Sequence, residues 1–277
     1  MKKILLPIDP SEYTKVAWLY ALDIARLHKA SLEGIGILDV LDIAEQAATF
    51  FPLPQGTEGH VKKEEELLAD ARKKVERELR IFKENCREEG LRCRAKIMEG
   101  RPDFIIEKES RYNDLIIMGM RNFFHFETKK RPEVSLKEII GFITTPVLAV
   151  PGSYRPLRKV LITYDSSVPS VSAVRQFVRM TAGMQYEIIL LTKSDSEEHA
   201  MAEMDKLEEY LSHHGDRPVT RRWISHSLRK TVGAEYLDQV DLVVCGKYSG
   251  KPVKEFFVGK FTNYLIDQNR TAVFIGQ

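Results

Sequence analysis

The chain has 277 residues, carries 42 Lys and Arg against 40 Asp and Glu for a formal charge of +2, and is 43% apolar. The length favours two domains and the apolar fraction suffices for two cores, while the balanced charge excludes the strongly basic signature of a nucleic-acid binder. No apolar run approaches the roughly 20 residues of a membrane span, and no secretory signal precedes the first apolar run. Cys86, Cys93 and Cys245 lack metal-ligand spacing and are expected to be reduced thiols in a cytoplasmic protein.

From the N-terminus, residues 4–8 form a continuous apolar run, the pattern of a parallel strand covered on both faces. Residues 14–29 follow with Val16, Leu19, Tyr20, Ile24 and Leu27 at helical spacing. A second strand is predicted over 31–40, and the stretch 41–60, with Pro52, Pro54 and Gly56, reads as a surface loop or short lid. A long helix is predicted over 61–89, with Leu68, Ala71, Val75, Leu79, Phe82 and Cys86 on one stripe. Strand 91–98, helix 102–110, strand 115–118, helix 136–142 and strand 147–150 complete this half. Alternating strand and helix implies parallel strands joined by right-handed crossovers.

The chain then starts again. Lys3-Ile4-Leu5-Leu6-Pro7-Ile8-Asp9-Pro10-Ser11 is echoed by Lys159-Val160-Leu161-Ile162-Thr163-Tyr164-Asp165-Ser166-Ser167. Asp114-Leu115-Ile116-Ile117-Met118-Gly119 matches Asp241-Leu242-Val243-Val244-Cys245-Gly246, and the apolar ends 147–150 and 272–275 match as well. Landmarks repeated in one order mean two copies of one domain, here 1–152 and 157–277. The second copy is predicted to have strands over 160–164, 186–192, 219–225, 242–245 and 272–275. Its helices are predicted over 170–181, 197–213, 228–237 and 261–267.

In such sheets ligands bind beyond the carboxyl ends of the strands, where strand order reverses. Asp9 and Asp165 end the first strand of each half. A carboxylate there can accept ribose hydroxyls, or simply cap the next helix for about 1 kcal/mol. After the fourth strand of the second half come Gly246, Lys247, Ser249, Gly250, Lys251, Gly259 and Lys260. Glycines let backbone N–H groups approach phosphate, and Lys neutralises it; the same composition also describes an ordinary surface turn. The corresponding first-half loop keeps Gly119 and four cations, with three phenylalanines around His125 that suit packing or a partner surface. His125, His213, His214 and His226 have no evident acid or thiol partner, and no Gly-x-Ser-x-Gly elbow or His-x-Gly-His motif occurs.

On these residues the chain resembles a tandem universal stress protein. The resemblance implies an α/β fold of two doubly wound five-stranded parallel-sheet domains, adenine nucleotide α-hydrolase-like, packed as a pseudo-dimer through their last strands. Nucleotide-binding members carry Gly, two residues, Gly, nine residues, Gly-Ser/Thr. Here Gly246 and Gly259 match, Ser249 and Lys260 replace the second glycine and the hydroxyl, and Gly250 falls one position late. In the first half Gly119 matches and Asn122 replaces the second glycine; the adenine contact falls on Val40 there and on Lys193 in the second half. The implied function is binding of ATP or another adenine nucleotide, with Mg²⁺, mainly by the second half and without rapid turnover. The alternative is a ligand-free module recruiting an unidentified protein partner. Neither reading involves nucleic acid or membrane, and both allow a homodimer of the whole chain.

Overall fold

A computed structural model describes residues 1–50, 57–121, 136–248 and 258–277. The first half runs β1 (Lys3–Ile8), α1 (Glu12–His28), β2 (Ser31–Leu38), α2 (Val40–Phe50), α3 (Glu58–Glu88), β3 (Cys93–Glu99), α4 (Pro102–Ser110), β4 (Leu115–Gly119), α5 (Leu136–Phe142) and β5 (Val147–Val150). The second runs β6 (Lys159–Tyr164), α6 (Val168–Met180), β7 (Glu187–Lys193), α7 (Glu197–Ser212), β8 (Val219–Ile224), α8 (Leu228–Thr231), β9 (Leu242–Gly246), α9 (Lys260–Gln268) and β10 (Ala272–Gly276).

Two expectations change. The stretch predicted as a loop holds a helix, α2: Ile43 and Ala47, one turn apart, are both buried, and the Asp39 carboxylate accepts from Asp42 N at 3.2 Å to start it. Residues 51–56 lie outside the described ones. The helix predicted over 228–237 is a short α8 that passes into a π-turn, Val232–Tyr236.

The ten strands form one sheet in the order β3-β2-β1-β4-β5-β10-β9-β6-β7-β8. Within each half every pairing is parallel; β5 and β10 pair antiparallel, with Leu148 opposite Phe274. Two five-stranded sheets thus merge through their last strands. Both strands are apolar and fully buried, so the seam removes two aggregation-prone edges. The outer strands β3 and β8 carry Arg94 and Lys96, or Arg221 and Arg222, as expected for edges that must resist further pairing. Helices cover both faces, with one apolar layer under α1, α3, α6 and α7 and another under α4, α5 and α9. Among the described residues no helix is long and apolar enough to cross a membrane.

The repeated Asp before the fourth strand has a structural task. Asp114 Oδ2 accepts from Lys2 N and Lys3 N at 2.5 and 3.1 Å, and Asp241 Oδ2 accepts from Arg158 N and Lys159 N, both at 2.9 Å. Each pins the start of the half's first strand to the start of its fourth. The connection from β5 to β6 is held on α1: Arg155 N donates to Tyr20 Oη at 3.3 Å, and the Tyr154 hydroxyl donates to Asp23.

Candidate functional site

In the second half, β6 leads outward to β7 and β8 while β9 leads inward to β10. The crossovers therefore diverge between β6 and β9, and a cleft opens at the carboxyl ends of these strands. It is open to solvent, with Asp165, Lys193, Tyr248, Gly259, Phe261 and Thr262 on its walls.

The β6–α6 turn shapes one side. Ser167 caps α6, its hydroxyl accepting from Ser170 N at 3.4 Å, and also donates to Asp165 Oδ1 at 2.6 Å. Ser167 N donates to the same oxygen at 3.1 Å. Ser166 between them sits at φ +53, a left-handed conformation uncommon for a residue with a side chain. Asp165 itself is exposed. Asp9 contrasts with it. It is 2% exposed, and its Oδ1 accepts from Ser11 N, Ser11 Oγ and Thr14 Oγ1 at 3.0, 2.5 and 2.7 Å. Asp9 therefore serves the β1–α1 turn, whereas Asp165 keeps a face toward solvent.

The β9–α9 side holds the glycines. A Cβ on Gly246 would lie 2.8 Å from the carbonyl carbon of Pro169, so close packing of α6 on β9 already demands glycine there. Gly119 is fixed the same way by Tyr13 Cβ at 2.5 Å. Gly259 is the N-cap of α9 with no side-chain cap, and its own N–H donates to Lys247 O at 2.8 Å. The N–H groups of the first α9 turn consequently have no intrahelical partner and face an anion-favouring helix end. Lys260 is exposed at that end.

Lys247 is placed elsewhere than expected. It is 8% exposed, and its ammonium donates to Gly141 O at 2.9 Å and Ile143 O at 3.2 Å, across the seam. Burial lowers its pKa. The alternation that sends Cys245 into the apolar layer turns Lys247 the same way, toward α5 rather than into the cleft. Val40 is the half-buried first residue of α2. Ser249, Gly250, Lys251, Asn122 and His125 lie outside the described residues.

Sequence reasoning missed Thr163, Tyr248 and Phe261. Strand alternation counted back from Asp165 would have found Thr163, which shares its face; the aromatics gave no such signal. The Thr163 and Thr262 hydroxyls donate to Val244 O and Gly246 O at 3.1 and 3.0 Å, bracing the cleft floor. Cys245 is buried beneath it, its thiol pushed up to about 12 by burial, and so stays protonated. Among the described residues no three His, Cys, Asp or Glu side chains gather as a metal-binding group.

This geometry, two fused parallel sheets with a cleft at the switch point of the second, has counterparts among known proteins. The universal stress protein family model matches residues 1–130. Over those residues the chain is similar to that family. A universal stress protein from Archaeoglobus fulgidus DSM 4304 is similar in fold, with 19% identity, a TM-score of 0.64, and coverage of 99% of this chain and 98% of that one. A putative universal stress protein from Pseudomonas aeruginosa UCBPP-PA14 gives 14% identity, a TM-score of 0.60, and coverage of 100% and 93%. The cytoplasmic domain of a prokaryotic cation chloride cotransporter gives 12%, 0.53, and 99% and 94%. These likenesses extend the universal stress protein fold to both halves. No curated protein matches the chain.

Proposed function

We propose that the chain is a tandem universal stress protein, divided at 1–152 and 157–277, whose second half binds an adenine nucleotide or a similar phosphorylated ligand without rapid turnover. The observation that carries this reading is the contrast between Asp165, exposed at an open cleft, and Asp9, buried and engaged by three donors. Asp165 would accept ribose hydroxyls. The N–H groups at the start of α9, which have no intrahelical partner, would receive phosphate oxygens, with Lys193 on the cleft wall and exposed Lys260 at the helix start supplying positive charge. Tyr248 and Phe261 offer flat apolar surface to a base.

Asp165 is the one carboxylate among the described lining residues of the cleft. Mg²⁺ would therefore be carried mainly on the phosphates with its own waters, in keeping with its reluctance to dehydrate. Among the described lining residues there is no histidine and the thiol is protonated, so Asp165, already assigned to the ribose, is the base they offer and efficient hydrolysis is not expected.

The test is calorimetric titration with Mg·ATP. Losing charge-assisted hydrogen bonds in Asp165→Ala should weaken affinity by about 10-fold or more, while Asp9→Ala should change stability rather than affinity. Absence of binding heat from the wild type, or equal losses in both variants, would refute the reading.

A further inference from the structure

Cys86 closes the buried stripe of α3 and Cys93 opens β3. The turn between them doubles back tightly: Gly90 sits at φ +64, and Leu91 N donates to Cys86 O at 2.8 Å. The edge strand then begins at once, with Cys93 in register with Leu32 of β2. Both cysteines face the same apolar layer. Cys86 is 1% exposed and Cys93 is half-buried against that layer, and the two thiols are near enough for Cys93 to raise the pKa of Cys86 further, beyond the larger effect of burial. Cys245 lies in the other half beside Thr262.

Two free thiols on one apolar layer, joined by a tight turn and with one reachable from solvent, can act as a two-electron redox pair. We propose that Cys86 and Cys93 form a reversible intramolecular disulfide when the protein meets a peroxide. The Cys93 thiolate attacks one peroxide oxygen, the O–O bond breaks, and the released hydroxide takes up the Cys93 proton as water. The Cys86 sulfur then attacks the Cys93 sulfenic acid, the S–O bond breaks, and hydroxide leaves with the Cys86 proton as a second water. The peroxide gains two electrons and the pair loses two hydrogens. Burial holds the Cys86 thiol protonated until the S–S bond forms, so Cys93 reacts first. The product ties the last turn of α3 to the outermost strand of the sheet.

The experiment treats the reduced full-length protein with hydrogen peroxide and maps its peptides without reduction. The expected result is a Cys86–Cys93 cross-linked peptide, an intact Cys245 thiol, and full reversal by dithiothreitol. In Cys86→Ala the reaction should stop at a Cys93 sulfenic acid that dimedone traps, and in Cys93→Ser, altered only at a half-exposed edge, Cys86 should remain a thiol at the same dose. Wild-type protein that accumulates Cys93 sulfinic acid while Cys86 stays reduced, or that oxidises Cys245 first, would overturn the proposal.

Discussion

Lys247 Nζ, in the second half, donates to Gly141 O in the first at a distance of 2.9 Å. Gly141 lies in the last turn of α5, where carbonyls lack intrahelical donors and cations are favoured. The residue at the matching place in the first half is Met120, 3% exposed in the same apolar layer. One copy of the repeat thus fills this position with an apolar side chain, and the other uses it to cap a helix across the seam.

Replacing Lys247 by Met should keep the packing but leave two carbonyls without their donor, at about 1–3 kcal/mol. The native pKa of Lys247 is lowered while the unfolded value is ordinary, so the unfolded state binds more protons below pH about 10.5. Stability should therefore rise with pH as that value is approached, and Lys247→Met should lose this rise. Urea denaturation of both proteins across the alkaline range measures it.

The aspartates that pin the strands should matter equally in both halves. Each holds two backbone donors with one carboxylate oxygen, so Asp114→Ala and Asp241→Ala should each cost about 1–3 kcal/mol. Thermal melts of the two variants would show it; a neutral result at either would mean water replaces the carboxylate at no cost.

Ser166 at φ +53 should be improvable. Its conformation costs roughly 1 kcal/mol relative to glycine, so Ser166→Gly should stabilise the chain slightly and Ser166→Val should destabilise it. Pro10, at the matching place in the first half, cannot adopt a positive φ. The two turns therefore differ in backbone, not only in side chains, and denaturation midpoints of the variants test the assignment.

Tyr20 sets an alkaline limit. Burial pushes its hydroxyl from 10.0 up to about 12, so its stabilising contribution is complete below pH 10 and is lost as pH rises toward 12. Tyr20→Phe should flatten the stability loss over that window. An unchanged alkaline profile would place the loss on other tyrosines.

The sequence made the architecture legible because its signals were redundant. Continuous apolar strands, helical stripes and a repeated Asp-to-Gly strand all point to the same fold, and the apolar last strands mark the seam between the halves. The α2 helix was hidden by Phe51, Pro52 and Pro54, which follow it, although Ile43 and Ala47 already had helical spacing. The candidate site was harder to read because one residue type serves several purposes. Gly246 is demanded by Pro169, Lys247 by the α5 carbonyls and Asp9 by its own turn. Only burial and partners separate Asp165 from Asp9, and neither quantity is written in a motif.

The central claim, that the second-half cleft is the nucleotide site, is tested most directly by photo-crosslinking with an azido-adenine nucleotide and peptide mapping. The account predicts saturable label, displaced by excess ATP, on peptides containing Tyr248 or Phe261. Label that concentrates in the first half, or that ATP does not displace, would contradict it.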